Sequence, residues 1–203
     1  MKGCRPLTPE EIKQCLNTFD GSYYKRNKLL FLIGIYTGFR ISELLSLRVK
    51  DVYKYDKVND SITVNRAKMK GKREGRTVPI NDILKEVIQK YIDSWEKIYN
   101  SPIDKNLPLF LSQKMDKNGI IGSIKRRQAI YILQIVFNEC KLDGKLASHT
   151  MRKTFAKNVH ESLGKDILLT QKAMGHKDIT STTSYLSFDQ GKIDNAIKDL
   201  KLF

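Results

Sequence analysis

Four short stretches of the chain hold residue types suited to work on an anion. Residues 66–76 carry Arg66, Lys68, Lys70, Lys72, Arg73 and Arg76 against one acid, Glu74. Such a run reads either as a solvated turn or, in a chain this basic, as a surface that touches phosphates. Ser148-His-Thr-Met-Arg152 sets His149 and Arg152 three residues apart at a helix start, hence on one face. A helix N-terminus favours anions, and a guanidinium can hold two phosphate oxygens at once. Many helices begin this way without doing chemistry, so the pair alone decides nothing. Gly175-His176 is followed nine residues later by Tyr185 in ITSTTSYL. Singly, these are a helix-terminus hydrogen bonder and an ordinary phenol. Finally, Thr37-Gly-Phe-Arg40-Ile-Ser-Glu43 places an arginine directly after an apolar run and three residues before a glutamate, which also fits a buried ion pair.

The elements that must position these residues are mostly helical. Thr8-Pro-Glu-Glu is an N-cap with proline at the first helical position. Asn27 to Tyr36 is apolar nearly all round, as befits a helix through a core, and Gly38 ends it before a short helix near Ile41. The period then changes. Ile62, Val64 and Arg66 alternate with polar neighbours, and Arg76-Thr-Val-Pro-Ile80 places its proline at a strand edge, predicting a β-hairpin with a basic tip. Helical periodicity returns with Ile83, Leu84, Val87, Ile88, Tyr91, Ile92, Trp95 and Ile98 on one stripe. Lys105 to Gly122 reads as loop, with LPLFL as a short strand. Ala129 to Cys140 is amphipathic. Ser148 is expected to cap a helix ending at Gly164, with short helices at Asp166–Met174 and Thr180–Tyr185 and a last one capped by Asp189. The fold class expected is α+β, mainly α, with a small antiparallel hairpin.

The 203 residues carry 37 Lys plus Arg against 22 Asp plus Glu, a net +15 that favours a polyanionic partner, nucleic acid before acidic membrane. A 40% hydrophobic share excludes a disordered polyelectrolyte. No apolar run approaches the roughly 20 residues of a spanning helix, and no signal core follows the first residues, so a cytoplasmic location is expected. Cys4, Cys15 and Cys140 lack metal spacing and read as reduced thiols.

Taken in order, TGFRISELLSLRVKDV, the basic hairpin, HTMRKTFA and MGHKDITSTTSYL resemble the catalytic domain of the tyrosine recombinases, the lambda-integrase-type phage integrases. The resemblance runs from about Leu7 to Leu186. The family pattern is Arg, a hairpin Lys, His-x-x-Arg, His or Trp, then Tyr. Its matches here are Arg40, Lys70, His149, Arg152, His176 and Tyr185, with Glu43 as the supporting acid. Lys70 in MKGKREGRTVP fits the hairpin position best, with Lys68 and Lys72 as register alternatives. Lys68, Lys72 and Arg73 are expected to contact DNA phosphates. Lys153 stands where many relatives have a second histidine.

The resemblance implies attack by Tyr185 on a DNA phosphodiester, a 3′-phosphotyrosyl intermediate, and religation by a 5′-hydroxyl. Arg40 and Arg152 would clamp the phosphate, His149 exchange the phenol proton, Lys70 protonate the leaving oxygen and His176 donate to the phosphate. It implies no metal, cofactor or ATP, double-stranded DNA as partner, a monomer when free and a tetramer on synapsed DNA. Residues 1–203 are expected to form one catalytic domain with a tail helix over about 189–203, packed in cis or in trans, and no N-terminal core-binding domain. Two rivals remain at this point: a type IB topoisomerase-like enzyme, which would relax DNA without exchanging strands, and a non-catalytic DNA-binding module.

Overall fold

The computed structural model describes residues 3–64, 75–115, 117–176, 178–183 and 198–199. Helix α1 (Pro9–Thr18) starts as its sequence dictates: Thr8 Oγ1 accepts from Glu11 N at 3.2 Å, and Glu11 Oε2 accepts from Thr8 N at 2.9 Å. The segment before it is tied down too. Arg5 holds Glu11 by two hydrogen bonds, of 2.7 and 2.6 Å, and donates from Nε to Asp143 O; Leu7 N donates to Thr154 Oγ1.

Helix α2 (Tyr24–Thr37) is the centre of the core, with Leu29 through Ile35 all buried. It packs on α8 (Ser148–Ser162) and on α5 (Asp82–Asp93). The α2–α8 approach is set by two glycines one turn apart. A Cβ at Gly34 would lie 2.5 Å from Met151 Sδ, and one at Gly38 would lie 2.3 Å from Phe155 Cδ1. Gly38 also ends α2 in the left-handed region, at φ 61°. The chain then turns into α3 (Ile41–Leu44) and α4 (Val49–Val52).

Among the described residues, six strands form three separate two-stranded antiparallel sheets, where the sequence predicts one hairpin. The predicted hairpin is β3 (Ser61–Val64) with β4 (Arg76–Pro79), in the register Ser61↔Pro79 to Val64↔Arg76. Its tip, residues 65–74, lies outside the described residues. Before it, β1 (Tyr53–Lys54) and β2 (Lys57–Val58) join through Tyr55 and Asp56, both at positive φ. The stretch read as loop contains β5 (Leu111–Met115) paired with β6 (Ile121–Ser123), so LPLFL contributes only its last residue to a strand.

The long apolar stripe is interrupted. α5 ends at Asp93, Ser94 takes a non-helical conformation, and α6 (Trp95–Tyr99) follows; Ile83, assigned to the stripe, is 59% exposed. Helix α7 (Arg126–Glu139) buries Ala129, Leu133, Val136 and Phe137. Ser148 does not cap α8: it is the first helical residue, Ala147 is the extended one, and Thr150 Oγ1 accepts from Ala147 N at 3.0 Å. Helix α9 (Ile167–Met174) is capped by Asp166, which accepts from Leu168 N and Leu169 N, and α10 (Ile179–Thr183) follows. A main core spans α1 to α8, and Phe155, Ala156 and Met174 form a satellite beneath α9. The helix expected at Asp189 lies outside the described residues. Among those described, no helix is long and apolar enough to cross a membrane.

Candidate active site

Arg152 is the hub. It sits one turn into α8, is 1% exposed, and reaches back 114 residues to donate from Nη1 to Gly38 O. Its Nη2 donates to Met174 O at 3.0 Å and lies 2.7 Å from His176 Nε2. One guanidinium therefore joins the turn after α2, the end of α9 and the His176 ring. A buried cation needs such partners, and backbone carbonyls supply two of them here.

The Gly38 turn delivers Arg40 two residues later. Its side chain is 36% exposed, whereas that of its partner Glu43 is 2% exposed; the ion pair spans 3.1 Å. Glu43 serves twice, because its other oxygen accepts from Arg40 N at 2.7 Å and so caps α3. The spacing of an arginine and an acid three residues on is thus both a local cap and a means of holding the guanidinium.

His149 lies one turn before Arg152 on α8 and is solvent-accessible. Partial burial, then the charges of Arg152, Arg40, Arg126 and Lys153, push its pKa below the usual imidazole value. His176 follows Gly175, which ends α9 at φ 61°. Its backbone N donates to Gln171 O at 3.1 Å, and its Nδ1 lies 2.9 Å from Thr182 Oγ1 on α10. Burial first, then Arg152, Arg40 and Arg76, lower the His176 pKa to about 4, with Asp178 opposing. Both rings are neutral at physiological pH.

The structure therefore gathers Arg40, Glu43, His149, Arg152 and His176 from the α2–α3 turn, the first turn of α8 and the α9–α10 connection. Tyr185, Lys68, Lys70, Lys72 and Arg73 lie outside the described residues. His176 Nε2 faces the Arg152 guanidinium, a group that can only donate. One particular departs from the sequence reading. Arg76, one of the run of positive residues in the hairpin, points inward. It is 8% exposed, donates from Nη2 to Thr37 O at 2.7 Å and to Ala173 O at 2.6 Å, and lies over the rings of Phe39 and Phe155. It bolts β4 to the ends of α2 and α9. Thr182, fully buried against His176, was not legible either; its only signal is its place six residues after a histidine.

The fold is that of tyrosine recombinase catalytic domains. The chain superposes on the catalytic domain of bacteriophage HP1 integrase with a TM-score of 0.58 at 21% identity, covering 98% of this chain and 97% of that one. It superposes on XerH site-specific recombinase bound to a palindromic difH substrate with a TM-score of 0.72 at 24% identity, covering 96% of this chain and 53% of that one. The chain belongs to the phage integrase family, whose profile matches residues 5–191. Among curated relatives, the probable integrase/recombinase YoeC of Bacillus subtilis is 31% identical over 189 residues, 93% of this chain and 90% of that protein. Tyrosine recombinase XerC of Caldanaerobacter subterraneus is 27% identical over 192 residues, 94% of this chain but 49% of the relative. The chain thus spans about half the length of XerC.

Proposed function

We propose that this chain supplies the chemical centre of a site-specific DNA recombinase or integrase, which breaks and rejoins duplex DNA through a 3′-phosphotyrosyl intermediate. The observation that carries the reading is the bracing of buried Arg152 beneath accessible Arg40 and His149, from segments far apart in the chain. Two guanidiniums at one place suit a phosphodiester whose transition state spreads negative charge over its non-bridging oxygens.

In this scheme Tyr185 Oη bonds to phosphorus as the bond to the 5′-oxygen breaks. A phenol with an ordinary pKa near 10 needs a proton acceptor, and neutral His149 serves. Lys70 gives a proton to the departing 5′-oxygen. Support for Lys70 over Lys68 and Lys72 comes from the hairpin register: it is equidistant along the chain from the paired residues Val64 and Arg76. Glu43 orients Arg40. The reverse transesterification, by the 5′-hydroxyl of a partner strand, conserves bond energy. The partner is double-stranded DNA; the free chain is a monomer and the reacting assembly a tetramer on synapsed sites. A nucleoid-associated, cytoplasmic location follows from that partner.

The test is a nicked suicide duplex built from DNA flanking the gene. Wild type should form a covalent adduct that survives denaturing electrophoresis. Tyr185→Phe, which removes one hydroxyl, should keep folding and DNA binding while losing the adduct. Adduct from the Phe variant would mean that another residue attacks.

A further inference from the structure

Two helices end at the site in the same way, and two guanidiniums join their ends. α2 stops at Gly38 and α9 at Gly175, each in the left-handed region at φ 61°. The last carbonyls of a helix lack intrahelical donors and carry the negative end of its dipole. Bringing two such ends together is unfavourable unless cations lie between them. Arg152 joins them by donating to Gly38 O and to Met174 O. Arg76 joins them one residue earlier on each helix. Its Nη2 donates to Thr37 O at 2.7 Å and to Ala173 O at 2.6 Å, and its Nε to Ala173 O at 3.1 Å. The same guanidinium lies 5.3 Å from the ring centroid of Phe39 and 5.4 Å from that of Phe155. Phe39 stands between Gly38 and Arg40 in the chain, and Phe155 lies one turn after Arg152 on α8.

We infer that Arg76 is a positioning residue for DNA cleavage: it holds the ends of α2 and α9 at the separation that Arg152 spans and seats the turn that carries Arg40, so that both guanidiniums are aimed at one phosphate. The use of Arg40 and Arg152 on phosphate rests on the function proposed above; the joined helix ends do not. Arg76 acts through these residues, because it is 8% exposed and its Nε and Nη2 are engaged by backbone carbonyls. Acceptors in two directions and a ring on each of two segments call for a planar fork, which lysine lacks. Arg76 is also in the last described pair of the hairpin, opposite Val64. The rival route for its influence therefore runs through the hairpin to Lys70 instead of through the clamp.

Wild type gives the first measurement. In nitrogen-15 spectra of the full chain, the Nε–H protons of Arg76 and Arg152, assigned through bonds to the backbone, should exchange slowly with solvent. A rapidly exchanging Arg76 overturns the inference without any variant having to fold. R76K keeps the charge and R76Q does not, but neither can span both helix ends while lying over both rings. In each, the Arg152 Nε–H resonance should move. Single-turnover cleavage of the suicide duplex, measured below the melting temperature of both variants, should fall about tenfold or more, the equivalent of one hydrogen bond to a charged group. Duplex affinity should stay within about twofold of wild type, since the loss is confined to the transition state. A duplex with sulfur in place of the departing 5′-oxygen needs no general acid, and so separates the two routes. R76K and R76Q should remain as slow on it, relative to wild type, as on ordinary DNA. Rescue on the sulfur duplex assigns the effect to the hairpin and overturns the inference. So does a folded variant that cleaves at the wild-type rate, which leaves Arg76 a stabilising residue only. Slow exchange and a moved Arg152 resonance in a chain that never forms adduct overturn the cleavage reading instead, and the two failures are thereby distinguished.

Discussion

Arg40 and Arg152 carry the same charge in opposite settings, and that difference decides what their replacement should do. Arg40 is accessible and its ion pair is half in water, so it contributes little to stability. Arg152 is buried and spends its donors on Gly38 O and Met174 O. Lysine keeps the charge but not the planar fork. Both Arg40→Lys and Arg152→Lys should therefore cut adduct formation by orders of magnitude. Their urea denaturation curves should separate: Arg40→Lys within about 0.5 kcal/mol of wild type, Arg152→Lys lower by about 2–4 kcal/mol, because buried carbonyls lose donors around a poorly fitting cation. Equal stability losses would mean that the carbonyl bracing of Arg152 is not what holds these segments together.

At the scale of elements, α2 and α8 matter most, since they carry the turn before Arg40 and the His149–Arg152 face. Their contact depends on Gly34 and Gly38 meeting Met151 and Phe155. Gly21 provides an internal control: its φ is also positive, at 81°, but nothing lies within 4 Å of a Cβ placed there. Gly21→Ala should cost about 1–2 kcal/mol for the left-handed backbone alone. Gly38→Ala adds the clash with the Phe155 ring and should cost about 1–3 kcal/mol more. If the two variants unfold at the same denaturant concentration, Phe155 has moved aside and the close approach is not essential. The same elements indicate what the sequence could convey. Capping box, apolar α2, Gly38 stop and the β3–β4 alternation are local signals, and each stands where local chemistry puts it. The β1–β2 turn was illegible because Tyr55-Asp56 is not a pair that favours positive φ. β5 and β6 were illegible because neither alternates: Leu111 to Met115 is buried at one end and exposed at the other. The break at Ser94 hid inside a continuous apolar stripe. Among the candidate site residues, the family resemblance singled out Arg40, Glu43, His149, Arg152 and His176, which the structure brings to one place. The inward turn of Arg76 and the support from Thr182 were hidden, because both depend on contacts between elements distant in sequence.

For the molecule as a whole, the net charge of +15 favours association with a polyanion. Each phosphate neutralised releases condensed counterions, so the logarithm of the binding constant should fall linearly with the logarithm of salt, by about 0.9 per contact. In the proposed interface Lys68 and Lys72 each meet a phosphate. Lys68→Ala and Lys72→Ala should each weaken unspecific duplex binding and flatten the slope by about 1. Arg76 belongs to the same run of positive residues but is spent on Thr37 O and Ala173 O beneath two aromatic rings. Arg76→Gln should lower thermal stability yet leave the salt slope of the folded protein unchanged. Fluorescence anisotropy on a labelled duplex between about 50 and 200 mM salt resolves such differences, since several contacts change affinity by orders of magnitude over that range. A slope that flattens as much for Arg76→Gln as for the lysine variants would show that the binding responds to net charge alone. A slope unmoved by either lysine would place the DNA contacts away from the hairpin. Only a drop confined to Lys68 and Lys72 matches a chain whose charge is divided between residues that face the DNA and residues that hold the clamp in shape.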